Sequence, residues 1–182
     1  MKTSFFRWAS ALALAVPLAT LAQKPPIYSW DNLPKIIQPS FKKDTLNIQK
    51  LGAKPDGVTL NTQVINNAIE VMSKKGGGVV LVPKGIWLTG PIELKSNVNL
   101  HIQKSAIVLF TNDKSQYALV EGSYEGKKAA RNQSPISAVG VENIAITGKG
   151  IIDGNGDVWR AVNKSQLTEG QWKEKLASGV VS

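Results

Sequence analysis

Asp153 and Asp157 stand four residues apart on the glycine-rich stretch Asp153-Gly154-Asn155-Gly156-Asp157, and are the best-placed acids in a 182-residue chain that carries 13. Two carboxylates can share acid/base work when burial keeps one protonated and the other stays ionised. Four residues on a turn allow the separation such a pair needs, but the neighbouring residues supply no cleft, and a turn with glycines at positive φ accounts for the same letters. The stretch also opens like a calcium loop. It departs from one at position six, where Val158 replaces glycine, and at position twelve, where Lys164 replaces the bidentate glutamate.

The other chemistry-bearing residues are weaker. His101, the only histidine, lies between Leu100 and Ile102 and has no cysteine or second histidine with which to share an ion, so it reads as a packed or corner residue. The lack of cysteine also removes disulfides, thiolate catalysis and a lipidated cysteine. Gly76-Gly77-Gly78 has no Gly-Lys-Ser/Thr ending, and Gly148-Lys149-Gly150 has no upstream glycine, so neither forms a phosphate loop. Trp87 and Trp159 could stack on sugars, but their strand and turn positions point to the core; Trp172 fits either role. No residue is therefore assigned as catalytic, cofactor-binding or metal-ligating, and no cofactor is expected.

The elements around these residues are more legible. Residues 23–46 read as an extended, proline-rich lead-in, with Trp30 expected to tuck onto the body. A helix follows, capped by Asn61 or Thr62, with Val64, Ile65, Ala68, Ile69 and Met72 on one face and Gly76 ending it. Beyond it come short strands, and their segments superpose. Gly90-Pro91-Ile92-Glu93-Leu94 matches Ser134-Pro135-Ile136-Ser137-Ala138 at an offset of 44, Asn97–Leu100 matches Asn143–Ile146 at 46, and Lys104–Ile107 matches Lys149–Ile152 at 45.

Three short strands per unit, repeated in order, spell the coils of a parallel β-helix with apolar side chains inside. Val98, Leu100 and Ile102 keep the inward period of two, as do Ile144 and Ile146. Asn97 and Asn143 fall at matching corners and are expected to stack there. The polar stretch from Asn112 to Gln133 reads as an excursion from the coil. The helix from Thr62 to Ser73 is placed to close the first coil, and Thr168-Glu169-Gly170-Gln171 announces a last short helix carrying Trp172 and Leu176 and ending at Gly179.

Residues 1–22 read as a secretory signal peptide: Lys2 and Arg7 precede an apolar stretch that ends in Thr20-Leu21-Ala22. That stretch is interrupted by Pro17 and is shorter than the roughly 20 residues a membrane anchor needs. Export to the periplasm or the extracellular space is the expectation. Net charge is +9, or +7 without Lys2 and Arg7, an excess that would attract polyanions. The lysines are scattered, with no arginine-rich run and no interleaved aromatics, so nucleic acid is not expected, nor a membrane after signal removal.

The chain resembles the N-terminal part of glycoside hydrolase family 28, the polygalacturonases and related pectin hydrolases. The resemblance runs from about Asn47 to Trp172 and rests on LGAKPDG with LNT, GGGVVLVPKGIWLTGPI with LKSNVNLH, and SPI, ENIAITGKG and IDGNGDVW. It implies an all-β, right-handed parallel β-helix of the pectin-lyase-like kind, capped by an N-terminal helix and truncated after its first coils, with residues 47–182 as the N-terminal part of the hydrolase domain. It also implies hydrolysis of α-1,4-galacturonan with inversion, one aspartic acid protonating the leaving oxygen while other aspartates activate water. In the family these lie in Asn-Thr-Asp and Asp-Asp motifs, backed by Gly-His-Gly and Arg-Ile-Lys, all further along the chain. None of the four occurs here, and Thr111-Asn112-Asp113 has the letters in another order.

Two functions follow as expectations. The first is a pectin hydrolase by lineage, represented by a piece that does not catalyse alone, with pectin, polygalacturonate or oligogalacturonides as partner. The second is a non-catalytic module that binds acidic polysaccharide. Coils left without a second lid are also expected to be weakly stable alone and to self-associate through their open end.

Overall fold

The computed structural model describes residues 29–30, 32–160 and 163–177; the expected leader at 1–22 and the helix stop at Gly179 lie outside them. The chain divides into two units, Met1–Ile37 and Gln38–Ser182. In the first, the Asn32 N–H donates to the Ser29 carbonyl at 3.0 Å, and Trp30, read as a covered residue, is 92% exposed.

The second unit is a stack of coils. Strands β1 (Thr45–Asn47), β2 (Gly78–Val82), β3 (Gly85–Thr89), β4 (Ile92–Glu93), β5 (Val98–Ile102) and β6 (Ala106–Phe110) are followed by a hairpin, β7 (Leu119–Tyr124) and β8 (Lys127–Asn132). The coil then resumes with β9 (Ile136–Ser137), β10 (Ala145–Gly148) and β11 (Ile151–Asp153). One sheet runs β1-β2-β5-β10, a second β3-β6-β11, and a third pairs β4 with β9, all parallel. Each strand thus bonds to its equivalent one coil away, the solenoid expected from the repeats.

Register builds the core. Val80, Leu100 and Ile146 stand in one column, and Trp87, Val108 and Ile152 in another. Side chains alternate in burial along β2, β5 and β6, as period two requires. In the last coil the inward positions lose cover: Ile146 is 38% exposed and Ile152 42%, whereas Leu100 and Val108 below them are buried.

The repeat differs from the sequence reading in two respects. The bare coil is 20 residues long, Gly78 opposite Val98; the 44 residues between the paired Ile92 and Ile136 contain a coil and the β7–β8 hairpin together. In addition, Ile107 pairs with Ile151, an offset of 44 where the letters suggested 45. The cause is a shorter corner: five steps lead from Ile102 to Ile107, but only three from Gly148, the partner of Ile102, to Ile151. A slip of one residue would exchange the inward and outward sets of β11. The short corner presses on the coil beneath, since a Cβ on Gly148, at φ +106°, would meet the Ile102 carbonyl oxygen at 1.9 Å.

Helix α1 (Thr62–Lys74) buries Ile65, Ala68, Ile69 and Met72 against β2, β4 and β5, and is the expected lid. Its C-terminus closes as a Schellman turn: Gly77 N–H donates to the Met72 carbonyl, Gly76 N–H to that of Ser73, and Gly76 takes φ 85°. Its start departs from expectation, because neither Asn61 nor Thr62 caps the helix through its side chain. The buried Asn61 amide instead donates to the Lys54, Thr59 and Leu88 carbonyls and accepts from the Lys54 N–H at 2.8 Å, while Thr62 Oγ1 accepts from the Gly90 N–H. Both side chains sew the lid to the coil rather than terminating the helix.

Asn97 and Asn143 stack as expected. Both take left-handed φ, 65° and 52°; Asn143 Nδ2 donates to Asn97 Oδ1 at 2.9 Å, and the Asn143 amide pairs with both backbone groups of Ser40. The excursion is the antiparallel β7–β8 hairpin, turned by Glu125 and Gly126, both at positive φ as a type I′ turn requires. Helix α2 (Glu169–Ala177) starts on the predicted box, with Thr168 N–H donating to Gln171 Oε1 at 3.0 Å and Gln171 N–H to Thr168 Oγ1 at 3.4 Å. On this helix Leu176 is exposed and Trp172 is half-buried.

Asp56 organises the GAKPDG turn that starts the second sheet. Its carboxylate accepts from Thr59 Oγ1 at 2.7 Å and from the Thr59 and Val58 N–H groups, while Gly57 N–H reaches the Ile86 carbonyl at 2.9 Å. The Thr59 hydroxyl first, then the Thr59 and Val58 N–H groups, hold its pKa at about 2 against an ordinary 3.8.

Two outcomes are expected. Gly148→Ala should lower stability by about 2–4 kcal/mol in urea unfolding, through clash and positive-φ strain, while Gly154→Ala changes it by less than about 0.5 kcal/mol. Because the folded pKa of Asp56 is depressed, its contribution is full above pH 3.8 and disappears as pH falls through about 2. Asp56→Ala should therefore lower the thermal midpoint at pH 6, and the gap from the parent should close between pH 4 and pH 2.

Candidate functional site

The carboxylates singled out in the sequence do not form a buried pair. Asp153 Oδ1 accepts from the Asn155 N–H at 2.9 Å in a local turn, and Asp157, 87% exposed, faces Arg160 at 3.5 Å. Asn155, at φ 47°, is the residue between them that takes the left-handed conformation. Neither acid has the apolar surround that keeps a catalytic carboxyl protonated. Asp113, of Thr111-Asn112-Asp113, caps a 3-10 turn: it accepts from the Ser115 hydroxyl at 2.7 Å and from its N–H, contacts that draw its pKa down, the hydroxyl foremost.

His101 points outward from β5 and joins a ladder across two coils. Thr147 Oγ1 donates its one proton to Asn99 Oδ1 at 2.9 Å, so His101 Nδ1, at 2.8 Å from the same oxygen, must carry the hydrogen of that contact. Read as a packed or corner residue, it is instead an outward strand residue, half-exposed, whose ring is held by the neighbouring coil. Gln103, Lys104 and Lys149 share its shallow groove. Among the described residues, no three His, Asp or Glu side chains converge as a metal site, and no helix is long and apolar enough to cross a membrane.

The tryptophans divide. Trp87 is buried and its Nε1–H donates to the Pro83 carbonyl at 2.7 Å, a core residue as expected. Trp159, expected in the core, instead lines a cavity of about 440 Å³ between the end of the hairpin and the 3-10 turn Gly156–Trp159. Its ring meets that of Tyr117 edge-on, centroids 5.0 Å apart at 80°, and Lys114 Nζ lies 5.6 Å from the Trp159 ring centroid. The buried Tyr117 hydroxyl donates to the Thr111 carbonyl at 2.8 Å, and burial raises its pKa.

Arg131, Asn132, Gln133, Ser134 and Pro135 complete the wall. Arg131 is steadied by the Ser123 carbonyl at 3.3 Å, and Asn132 Nδ2 donates to the Tyr117 carbonyl at 3.1 Å. Tyr117, Lys114 and Arg131 were not identified from sequence, because the excursion lacks a coil period. The signal that could have found them is the hairpin grammar, with Glu125-Gly126 set between two six-residue strands.

Comparison with known proteins agrees with the coils. The family model described as rhamnogalacturonase A/epimerase, pectate lyase-like, matches residues 45–169. An exo-poly-α-D-galacturonosidase of Dickeya chrysanthemi is 39% identical over 67% of this chain and 21% of its own length, and an exopolygalacturonase of Zea mays 33% identical over 63% and 26%. The chain thus spans about a quarter or less of these curated relatives. Among solved structures, an exopolygalacturonase of Thermotoga maritima superposes with a TM-score of 0.63 at 32% identity, covering 80% of this chain and 36% of that one. The family 28 exopolygalacturonase of Yersinia enterocolitica gives 0.61 at 29% identity, covering 77% and 30%. The expected right-handed parallel β-helix and the resemblance to polygalacturonases both stand, and over residues 45–169 the chain belongs to the rhamnogalacturonase A/epimerase, pectate lyase-like family.

Proposed function

We propose that this chain forms the scaffold coils of an exported glycoside hydrolase that degrades pectin, with α-1,4-galacturonan as substrate. Cleavage would invert the anomeric centre through carboxylates that residues 1–182 do not themselves provide. The observation that carries the reading is the family match over 45–169 joined to relatives named as polygalacturonases. The leader at 1–22 supports delivery to the periplasm or the extracellular space, where pectic polymers are met. A second reading, a module that holds acidic polysaccharide without cutting it, is favoured by the +7 charge that remains once Lys2 and Arg7 are removed.

One preparation of residues 23–182 tests both. A reducing-sugar assay on polygalacturonate should give no turnover above buffer, and robust turnover would refute the scaffold reading. Calorimetry with the same polymer at low salt, where screening is least, should show binding if the second reading holds, and absence of heat there removes it. Exposed Ile146 and Ile152 on the last coil, beside strand edges in β10 and β11, should also make this preparation self-associate. Sedimentation velocity checks that, and a monomer with a sharp, reversible thermal transition contradicts it.

A further inference from the structure

We propose that the cavity beneath the β7–β8 hairpin is a subsite for one carboxylate-bearing sugar unit of a polysaccharide, an inference that rests on the pectin reading above. At about 440 Å³ it falls within the range of small-ligand sites, roughly 300–1,000 Å³. Its wall combines what an acidic sugar requires. A pyranose presents C–H groups on its faces and hydroxyls at its rim, and Trp159, braced edge-on by Tyr117, offers a rigid apolar plane. Ser134 and the Gln133 side chain, to which the described residues give no hydrogen-bond partner, line the same cavity and can meet the rim.

The charge is one-sided. Arg131 lines the cavity and Lys114 holds its ammonium 5.6 Å from the Trp159 ring centroid, while no acidic side chain lies in the wall. A guanidinium fixed by a neighbouring carbonyl is suited to a carboxylate, because its fork is already oriented. This separates the cavity from the scattered lysines elsewhere, of which Lys74 and Lys95 face glutamates in exposed pairs.

The Trp159 indole supplies an independent mark. Its Nε1–H is buried and has no acceptor among the described residues, whereas that of Trp87 has one. Buried donors are nearly always paired in native proteins. The unpaired nitrogen belongs to the ring that walls the cavity, so its indole N–H reports on what enters there.

The test is a titration of the ¹⁵N-labelled chain with trigalacturonate and with its carboxyl-reduced, neutral counterpart. The Trp159 indole resonance, identified by its loss in Trp159→Phe, reports the site. A saturable shift of that resonance is expected with trigalacturonate. Lys114→Ala, at a half-buried position, and Arg131→Ala, at an exposed one, should each weaken binding by about fivefold without changing affinity for the neutral sugar. Binding that leaves the indole resonance and both variants unaltered overturns the subsite but leaves the pectin reading intact. Equal affinity for charged and neutral trisaccharides overturns the carboxylate assignment. No binding of either sugar at 10 mM overturns the subsite, while turnover or polymer binding in the assays above still reports separately on the pectin reading.

Discussion

Coil-on-coil register is the constraint from which the rest of this structure follows. An inward side chain in one coil is covered chiefly by its equivalents above and below, so each column must hold residues that stack: Val80 under Leu100, and Trp87 under Val108. A column has no far wall of its own. It must be closed at its ends, which is why a 13-residue helix is committed to the first coil and why Asn61 and Thr62 bind the strands below rather than the helix they begin. Burial of its four apolar residues, at about 1.5–3 kcal/mol for each large one, exceeds what a cap of about 1 kcal/mol would contribute.

The corners obey the same rule with different chemistry. At stacked turns the Asn143 amide bonds the Asn97 side chain one coil away and both backbone groups of Ser40, and both asparagines tolerate left-handed φ. Where a corner is shortened, as between β10 and β11, no side chain fits and glycine is the remaining solution. Amide ladder and glycine pinch therefore answer one question, namely how close two stacked turns come.

The fold was largely readable in the letters because a solenoid writes its contacts at fixed spacing. Period two marked Val98, Leu100 and Ile102, the asparagines marked the corners, and a face at i, i+3, i+4 marked the lid. The bare 20-residue coil was hidden because Gly78–Val82 and Val98–Ile102 share shape but few letters, while the longer spacing repeats motifs outright. The slip at β11 was hidden too, since corner length depends on backbone approach and two glycines look alike at either register. The cavity was least legible. Its residues come from three separate segments, Tyr117 with Lys114 nearby, Arg131–Pro135 and Trp159, and only the hairpin fold brings them together. The acids at 153 and 157, by contrast, were conspicuous in the letters and proved to be turn-formers.

The hairpin also bears on how fast such a chain can find its fold. Pairing β4 with β9 closes 44 residues where a bare coil closes 20, an added entropy of about 0.7 kcal/mol by loop-length scaling. Strands β7 and β8 can meet first through their two-residue turn, an event of about 1–10 μs, and joining Leu119 to Asn132 removes most of that extra span before the long closure is attempted. An insertion that folds on itself leaves the search for coil partners local, and local searches are the rapid ones.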